Sequence, residues 1–175
     1  MDNKENLFQY YKNLDNYYGN YHHHKEISAW AGLVLHILFN TFIILTNTTS
    51  KFDIWIIISF SLGLLLESII LLIYVNNQLE LKDDGGALAE ASKQIIIEII
   101  NIKSDNEINK YLEIRESTDT MAKYSHVLPQ YLLNKKDIIE TKGRKRQDTT
   151  KLMIKLLLIL TSILVLIIKW LAFFK

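Results

Sequence analysis

Two long apolar runs separated by a short polar link constrain this chain more than any other feature. The runs are Ile27–Thr46 and Ile54–Val75, and the link is Asn47–Asp53. About 20 helical residues cross a hydrocarbon layer of roughly 30 Å, so each run has the length of a membrane span. Because the link is short, we expect the two helices to lie antiparallel as a hairpin. A third apolar run, Leu152–Phe174, predicts another span.

The sequence therefore predicts an all-α integral membrane protein, with the lipid bilayer as its first partner. Its parts are a two-helix transmembrane hairpin, a helical cytoplasmic insert and a third, C-terminal transmembrane helix. The expected boundaries are 1–26 for a cytoplasmic amphipathic helix, 27–75 for the hairpin, 76–151 for the cytoplasmic helical region and 152–175 for the third span.

Composition and motifs favour no enzyme class. The formal net charge is +1 and cysteine is absent, so the chain offers neither a basic surface for nucleic acid nor a thiolate. It has no phosphate loop, nucleophile elbow or glycine-rich dinucleotide turn. We expect a non-enzymatic protein with no cofactor, no metal ion and no nucleic-acid partner.

The first 26 residues are polar but carry an apolar stripe at helical spacing. Its members are Leu7, Tyr11, Leu14, Tyr18 and Tyr21. Steps of three and four residues keep one helix face apolar, so the segment is predicted to be an amphipathic helix. We expect it to enter the first span or to lie at the membrane surface, with a bend or interruption at Gly19.

Three adjacent histidines, His22, His23 and His24, end this segment. Successive helical residues point about 100° apart, so these side chains do not converge on one metal ion. A polar collar at the level of the lipid headgroups is the favoured interpretation, and a pH-sensing or metal role is the alternative.

Each span of the hairpin carries a stripe of small and polar residues. The first contains His36 and Asn40, and the second contains Ser59, Gly63 and Glu67 at steps of four. Helices in lipid associate through close packing of small residues and through polar contacts. We therefore expect the two stripes to face each other.

His36 and Glu67 are predicted to lie at equal depth. His36 follows Ser28 by eight residues and Glu67 precedes Val75 by eight, which places both about 12 Å from the same end of an antiparallel hairpin. One interpretation is a buried polar clasp, joined by Thr161 and Ser162. The other is the lining of a gated pore or a proton relay, which needs an oligomer because three spans do not enclose a path.

Basic residues before the third span set the expected orientation. The cluster is Lys142, Arg144, Lys145, Arg146 and Lys151. The positive-inside rule places it on the cytoplasmic side, where it can also face anionic lipid. We expect an inner-membrane, multi-pass protein with the N-terminus and residues 76–151 in the cytoplasm and the C-terminus outside. Lys155 and Lys169 are expected to snorkel from the ends of the third span.

The region between the second and third spans is expected to consist of short helices. A break is predicted at Lys82–Gly86, where two acids and two glycines favour a turn rather than a cation site. Ala87–Lys103 has helical spacing, although its isoleucines leave a strand over Gln94–Ile100 as an alternative. Further helices are expected from Ser104, with Glu107 in a capping box, to Glu116, then over 118–127 and over 130–141, with a boundary at Pro129.

An aromatic amphipathic helix leads through Tyr21-His22-His23-His24-Lys25-Glu26 into a tight two-span hairpin, followed by cytoplasmic helices. Over Leu7–Lys103 this layout is similar to the SLATT-type membrane modules found beside bacterial nucleotide-signalling defence genes. The third span departs from that two-span layout. The resemblance implies a pore-forming or membrane-disrupting effector that kills or arrests an infected cell, and it carries no functional residue with it.

Our leading hypothesis from the sequence is an oligomeric, non-enzymatic membrane effector. Its cytoplasmic helices would respond to a sensor protein or a nucleotide signal, and its spans would permeabilise the membrane. A membrane-anchored scaffold that recruits a partner through residues 87–141 is the alternative. A small proton-coupled transporter is a weaker one, because inverted repeats and broken helices are not apparent.

Overall fold

The computed structural model describes residues 3–46, 54–102, 108–114, 128–144 and 149–173, and most of these residues are helical. In chain order the elements are α1 Asn3–Leu45, α2 Ile54–Ile100, a 3₁₀ turn Asn109–Tyr111, α3 Gln130–Arg144 and α4 Thr149–Phe173. No strand occurs in these ranges. The predicted all-α class is confirmed.

Helices α1, α2 and α4 are each long and apolar enough to cross a membrane. This confirms the predicted class of membrane protein with three spanning helices. α1 has 43 residues and α2 has 47, about twice the length that a span requires. Only a part of each of these two helices therefore lies in hydrocarbon.

The two long helices are continuous where the sequence predicts interruptions. α1 continues through Gly19, and α2 continues through Lys82–Gly86, so the predicted break after the second span is wrong. A Cβ added at Gly85 would lie 2.9 Å from the ring of Tyr21, and one at Gly86 would lie 2.8 Å from Nδ1 of His22. These two glycines allow α1 and α2 to pack closely, which explains their presence without a turn.

The chain divides into two compact units. Unit 1 comprises Met1–His24 and Leu81–Gln147, and unit 2 comprises Lys25–Glu80 and Asp148–Lys175. Helices α1 and α2 each contribute residues to both.

Unit 1 has an apolar core formed by α1, the second half of α2, the 3₁₀ turn and α3. Its buried members are Leu7, Tyr11, Tyr18, Leu88, Ala89, Ala91, Ile95, Ile99, Ile108, Tyr111, Leu128 and Leu132. The predicted N-terminal stripe is thus its buried face, and the hydroxyl of Tyr11 donates to the carbonyl oxygen of Tyr111 at 2.6 Å. The helical interpretation of residues 87–100 is confirmed over the strand, because Ile95 and Ile99 fall on one buried helix face.

The predicted short helices of unit 1 are only partly present. Residues 108–114 contain a single 3₁₀ turn, so the helix expected to reach Glu116 is wrong in this range. Ser104, Glu107 and the expected helix 118–127 lie outside the described residues. Pro129 directly precedes α3, as predicted, since proline fits the start of a helix better than its interior.

Unit 2 packs α1, α2 and α4 through two small apolar clusters. One contains Ala29, Leu33, Val75, Leu79, Ile154 and Leu158, and the other contains Ile43, Leu64 and Val165. Many of its other large apolar side chains face outward, for example Leu35, Leu66 and Leu160. An outward apolar surface suits lipid tails, which are as apolar as leucine.

Candidate functional site

His36 lies at the centre of a polar cluster among the three helices of unit 2. Its side chain is fully buried, and the residue as a whole is 1% exposed. Nδ1 lies 3.2 Å from Oε1 of Glu67, and Nε2 lies 2.8 Å from Nδ2 of Asn40 and 3.0 Å from Oγ of Ser162. We call these four residues the His36 cluster. The contact between His36 and Glu67 is the one that equal depth in a hairpin predicts.

The hydrogen-bond partners of His36 fit one arrangement of donors and acceptors. Nδ1–H donates to the carboxylate of Glu67, and the amide of Asn40 donates to Nε2. The hydroxyl of Ser162 donates to the carbonyl oxygen of Leu158 at 2.7 Å. The His36 cluster thus joins α1, α2 and α4 through side-chain contacts.

The carboxylate of Glu67 occupies the edge of the cluster rather than its interior. Its side chain is 32% exposed, and Oε2 lies 3.5 Å from Oγ of Ser68. The hydroxyl of Ser68 donates its proton to the carbonyl oxygen of Leu64 at 2.8 Å, so its contact with the carboxylate of Glu67 is weak. About a third of the Glu67 side chain thus remains uncovered by the described residues of the chain.

Ser59 and Gly63 do not join the cluster. Both are exposed, and a Cβ added at Gly63 would meet no atom within 4 Å among the described residues. The expectation that this stripe faces the first span is wrong beyond Glu67. Four residues turn an α-helix by about 400°, so a stripe at steps of four drifts about 40° per step around α2. At Gly63 and Ser59 it has left the face that buries Ile57 and Leu64.

The third span contributes to the cluster through one of its two expected hydroxyls. Ser162 contacts His36, whereas Thr161 donates within α4, to the carbonyl oxygens of Leu157 and Leu158 at 2.8 and 3.0 Å. Adjacent helical residues point about 100° apart, so only one of them can face α1.

Lys169 is a buried polar group whose role the sequence does not reveal. It is 3% exposed, and Nζ donates to the carbonyl oxygen of Thr46 at 2.7 Å, with Oγ1 of Thr46 at 3.3 Å and the carbonyl oxygen of Ile44 at 3.4 Å. The snorkelling prediction for Lys169 is therefore wrong, because the ammonium caps the C-terminal end of α1. Its neighbour Trp170 donates from Nε1 to Oγ of Ser61 at 2.8 Å.

The other residues singled out from the sequence lie apart from this cluster. Lys142 is exposed near the end of α3, Arg144 is the last residue of α3, and Lys151 is half-buried in α4; Lys145, Arg146 and the side chain of Arg144 lie outside the described part of the chain. Nδ1–H of His22 donates to the carbonyl oxygen of Lys82 at 2.8 Å, while His23 and His24 are exposed. Among the described residues, no group of three or more metal-ligating side chains is close enough to hold a metal ion.

Charged residues of unit 1 form two networks on α2 and α3. Lys135 pairs with Oε1 of Glu98 at 2.6 Å, and Tyr131 donates to Oε2 of Glu98 at 2.8 Å. Burial by itself would raise the pKa of Glu98, but these two hydrogen bonds outweigh it and hold the pKa below its ordinary value. Burial, followed by the bond to Glu98, raises the pKa of Tyr131 to about 12.

The second network joins Lys136 to two carboxylates. Nζ of Lys136 lies 2.6 Å from Asp84 and 2.7 Å from Glu140. Burial lowers the pKa of Lys136, and the hydrogen bonds to both acids more than offset it, so the pKa is raised overall. Asp84 thus serves helix packing rather than a turn.

Comparisons with protein-family models, with curated proteins and with solved structures give no match to this chain. The resemblance to SLATT-type modules stays a prediction. Function is therefore inferred from the geometry of the His36 cluster and from the surface of α2 beside it.

Proposed function

We propose that this protein is an oligomeric, non-enzymatic effector of a bacterial inner membrane that permeabilises the bilayer. The observation that carries the proposal is the half-covered carboxylate of Glu67. His36 binds it from one side, while about a third of its side chain is exposed on the surface of a membrane-spanning unit. An acidic group at this depth in lipid costs roughly 2.5–3.5 kcal/mol, so its open face needs a polar cover.

A second copy of the chain is the cover that we propose. Gly63 and Ser59 lie about one and two turns before Glu67 on α2, and both are exposed. Small residues let transmembrane helices approach closely, and Gly63 has open space where another helix can pack. In such an assembly Ser59, Gly63 and Glu67 line a seam between copies. A seam with acidic and hydroxyl groups can admit water and ions, which an apolar one excludes.

Unit 1 would control the seam from the cytoplasm. α1 and α2 each run unbroken from unit 1 into unit 2, so a partner or nucleotide signal that repacks the core of unit 1 can act on the same two helices that carry His36 and Glu67. The setting in anti-phage defence comes from the SLATT-type resemblance, which implies an effector that kills or arrests an infected cell.

Ion flux through proteoliposomes tests the proposal. Full-length protein is reconstituted with a potential-sensitive dye inside, and the wild type is compared with Glu67→Gln, which keeps the shape and removes the charge. Glu80→Gln is the matched control, because Glu80 is an exposed carboxylate further along α2 that binds Asn76. We expect a protein-dependent leak that Glu67→Gln changes at least fivefold and Glu80→Gln leaves within twofold. No leak at any protein-to-lipid ratio, or equal leaks in all three proteins, would contradict the proposal.

A membrane-anchored scaffold is the second candidate, favoured by the surface of unit 1. Ile97, Ile100 and Ile138 are each more than half exposed, and large apolar side chains in a region outside the spans suit a protein partner. This function predicts that Glu67→Gln leaves partner recruitment unchanged, whereas Ile97→Asp with Ile100→Asp abolishes it. Co-purification of membrane-embedded variants from the native host, with partners identified by mass spectrometry, separates the two functions.

A further inference from the structure

An open, apolar groove lies between α2 and α4 in unit 2. Its volume is about 180 Å³, and seven of its nine lining residues are leucine or isoleucine. The other two, Ser68 and Ser162, donate their hydroxyl protons within their own helices, to the carbonyl oxygens of Leu64 and Leu158. Neither serine therefore has a donor left for a ligand, and hydrocarbon suits the groove best. An engineered apolar cavity of about 150 Å³ binds benzene, so several carbon atoms of a chain have room here.

On α4 the face that lines the groove leads back to Lys155. The five lining residues of α4 follow Lys155 by 3, 4, 7, 8 and 11 positions, and they are Leu158, Ile159, Ser162, Ile163 and Leu166. Residues at this spacing share one face of an α-helix, so Lys155 lies on the groove side of α4, about one turn before the lining begins. Lys155 is half-buried, which suits a methylene stem that follows apolar surface while the ammonium group reaches a polar layer.

The length of this face matches one leaflet of a bilayer. Lys155 and Leu166 are eleven residues apart, which is about 16 Å along the helix axis. Half of a hydrocarbon layer of roughly 30 Å is about 15 Å. Lys155 is also the last charged residue before the uncharged stretch 156–168. A phospholipid with its phosphate at the level of Lys155 would therefore extend an acyl chain along the whole groove.

The charge on Lys155 selects among phospholipids. Among the described residues, no carboxylate forms an ion pair with Lys155. Acyl chains are alike in all phospholipids, and hydrocarbon gains little when it moves from bulk lipid to an apolar groove, so the groove alone gives no preference. A lysine near an anionic lipid surface gains about fivefold in affinity, whereas a zwitterionic headgroup already carries its own compensating cation.

We propose that the α2–α4 groove binds one acyl chain of an anionic phospholipid, whose phosphate pairs with Lys155. The chain lies against leucine and isoleucine side chains of both helices, and the ammonium group donates to the phosphate oxygens in charge-assisted hydrogen bonds. Ser59, Gly63 and Glu67 are not among the lining residues. The site is therefore separate from the seam proposed between copies, and it does not depend on membrane permeabilisation.

Photolabelling of the full-length protein in lipid nanodiscs tests the site. The probe is phosphatidylglycerol with a diazirine in the middle of one acyl chain, present at low mole fraction in phosphatidylcholine, and labelled peptides are mapped by mass spectrometry. We expect labelling per residue over 65–72 and 158–166 to exceed that over 34–42 at least threefold. The reference segment is a part of α1 that also carries exposed apolar side chains, Leu35 and Leu38 among them.

Competition with unlabelled lipid measures the preference for the headgroup. Unlabelled phosphatidylglycerol should reduce labelling of the groove about fivefold more effectively than phosphatidylcholine with the same chains. Lys155→Gln should bring this ratio below twofold, and Lys155→Arg should keep it. Lys142→Gln is the matched control, because Lys142 is an exposed lysine of α3 outside the groove, and it should leave the ratio unchanged.

A groove-filling variant locates the acyl chain independently of charge. Ile69→Trp places a larger side chain in the groove and retains Lys155, and it should lower labelling of 158–166 at least fivefold. Equal labelling of the groove and of 34–42 would show ordinary bilayer contact and overturn the proposal. Equal competition by the two lipids, a ratio that Lys155→Gln leaves at the wild-type value, or full labelling of 158–166 in Ile69→Trp would overturn it too.

Discussion

The two units of this protein obey opposite rules about which side chains they bury. Unit 1 encloses leucine, isoleucine and tyrosine and carries its paired charges on α2 and α3 near the surface. Unit 2 turns leucine and isoleucine outward and buries His36, Asn40 and Lys169. Burial of apolar area drives folding in water, but lipid removes that drive, so unit 2 is held by close packing and polar contacts. The distribution of apolar and polar side chains between core and surface therefore indicates whether a unit suits water or lipid.

In each unit, a lysine side chain donates to carbonyl oxygens at the C-terminal end of a long helix. The surroundings of the two lysines differ. In unit 1, Nζ of Lys4 donates to the carbonyl oxygens of Ile100 and Ile102 at 3.1 and 3.0 Å, at the end of α2. In unit 2, the buried Lys169 does the same for α1. The last carbonyl groups of a helix lack intrahelical partners, and lipid offers them no water. Loss of the lysine contact should therefore lower stability more in unit 2 than in unit 1.

The largest expected effect concerns the apolar core. Leu88→Ala, at a fully buried position of unit 1, should lower the free energy of unfolding by about 2–5 kcal/mol, because it leaves a cavity. Leu66→Ala, at a position of unit 2 that is 58% exposed, should cost well under 1 kcal/mol, since lipid replaces the lost contacts. Hydrogen exchange of the full chain in nanodiscs, read peptide by peptide, measures both. Similar losses of hydrogen-exchange protection in Leu88→Ala and Leu66→Ala would contradict the proposed difference between the units.

The next effect tests the close approach of α1 and α2 in unit 1. Gly85→Leu should destabilise unit 1 by about 2 kcal/mol or more, because its Cβ alone would lie 3.3 Å from the backbone nitrogen of His22. Gly19→Leu is the matched control, since no atom of the described residues lies within 4 Å of a Cβ there and leucine is a better helix former by nearly 1 kcal/mol. Thermal unfolding should shift down for the first and slightly up for the second. A gain at both positions would show that the glycines are not packing residues.

A smaller effect compares the two lysine caps. Lys169→Met should lower stability by about 1–2 kcal/mol and increase hydrogen exchange near residues 42–46, because the carbonyl groups of Ile44 and Thr46 lose their donor. Lys4→Met, at a partly exposed contact, should cost about 0.5 kcal/mol, since water can replace the ammonium there. A larger loss for Lys4→Met would contradict the assignment of the two ends to different solvents.

The smallest effect is a pH dependence of unit 1. The folded pKa of Glu98 lies below its ordinary value of 4.5, so its contribution is complete above that pH and is lost as the pH falls through the folded pKa. Unit 1 should lose protection as the pH falls below the ordinary value of 4.5, and Glu98→Gln should reduce that loss. Glu90→Gln, at an exposed carboxylate on the same helix, should leave the pH profile unchanged. A profile that Glu98→Gln does not alter would remove Glu98 as a source of acid sensitivity.

Local pattern predicted much of this architecture because the relevant physics is local. The apolar runs gave the three spanning helices, and the spacing of Leu7, Tyr11 and Tyr18 gave the buried face of α1. Residue counts predicted the contact between His36 and Glu67, since depth in a hairpin depends only on helical rise. The break at Gly85 and Gly86 failed for the opposite reason, because the same residues serve a turn or a close helix crossing and only the neighbouring helix decides which.

The sequence by itself determined that this is a helical membrane protein with an acidic and an imidazole group at one depth, because length, periodicity and hydrophobicity are properties of the chain. Only the tertiary structure decided the rotation of each helix about its axis. That rotation takes Ser162 into the cluster and Thr161 out of it, leaves Gly63 exposed and buries Lys169 against the end of α1. Rotation is set by packing between segments far apart in the chain, and no local pattern contains it.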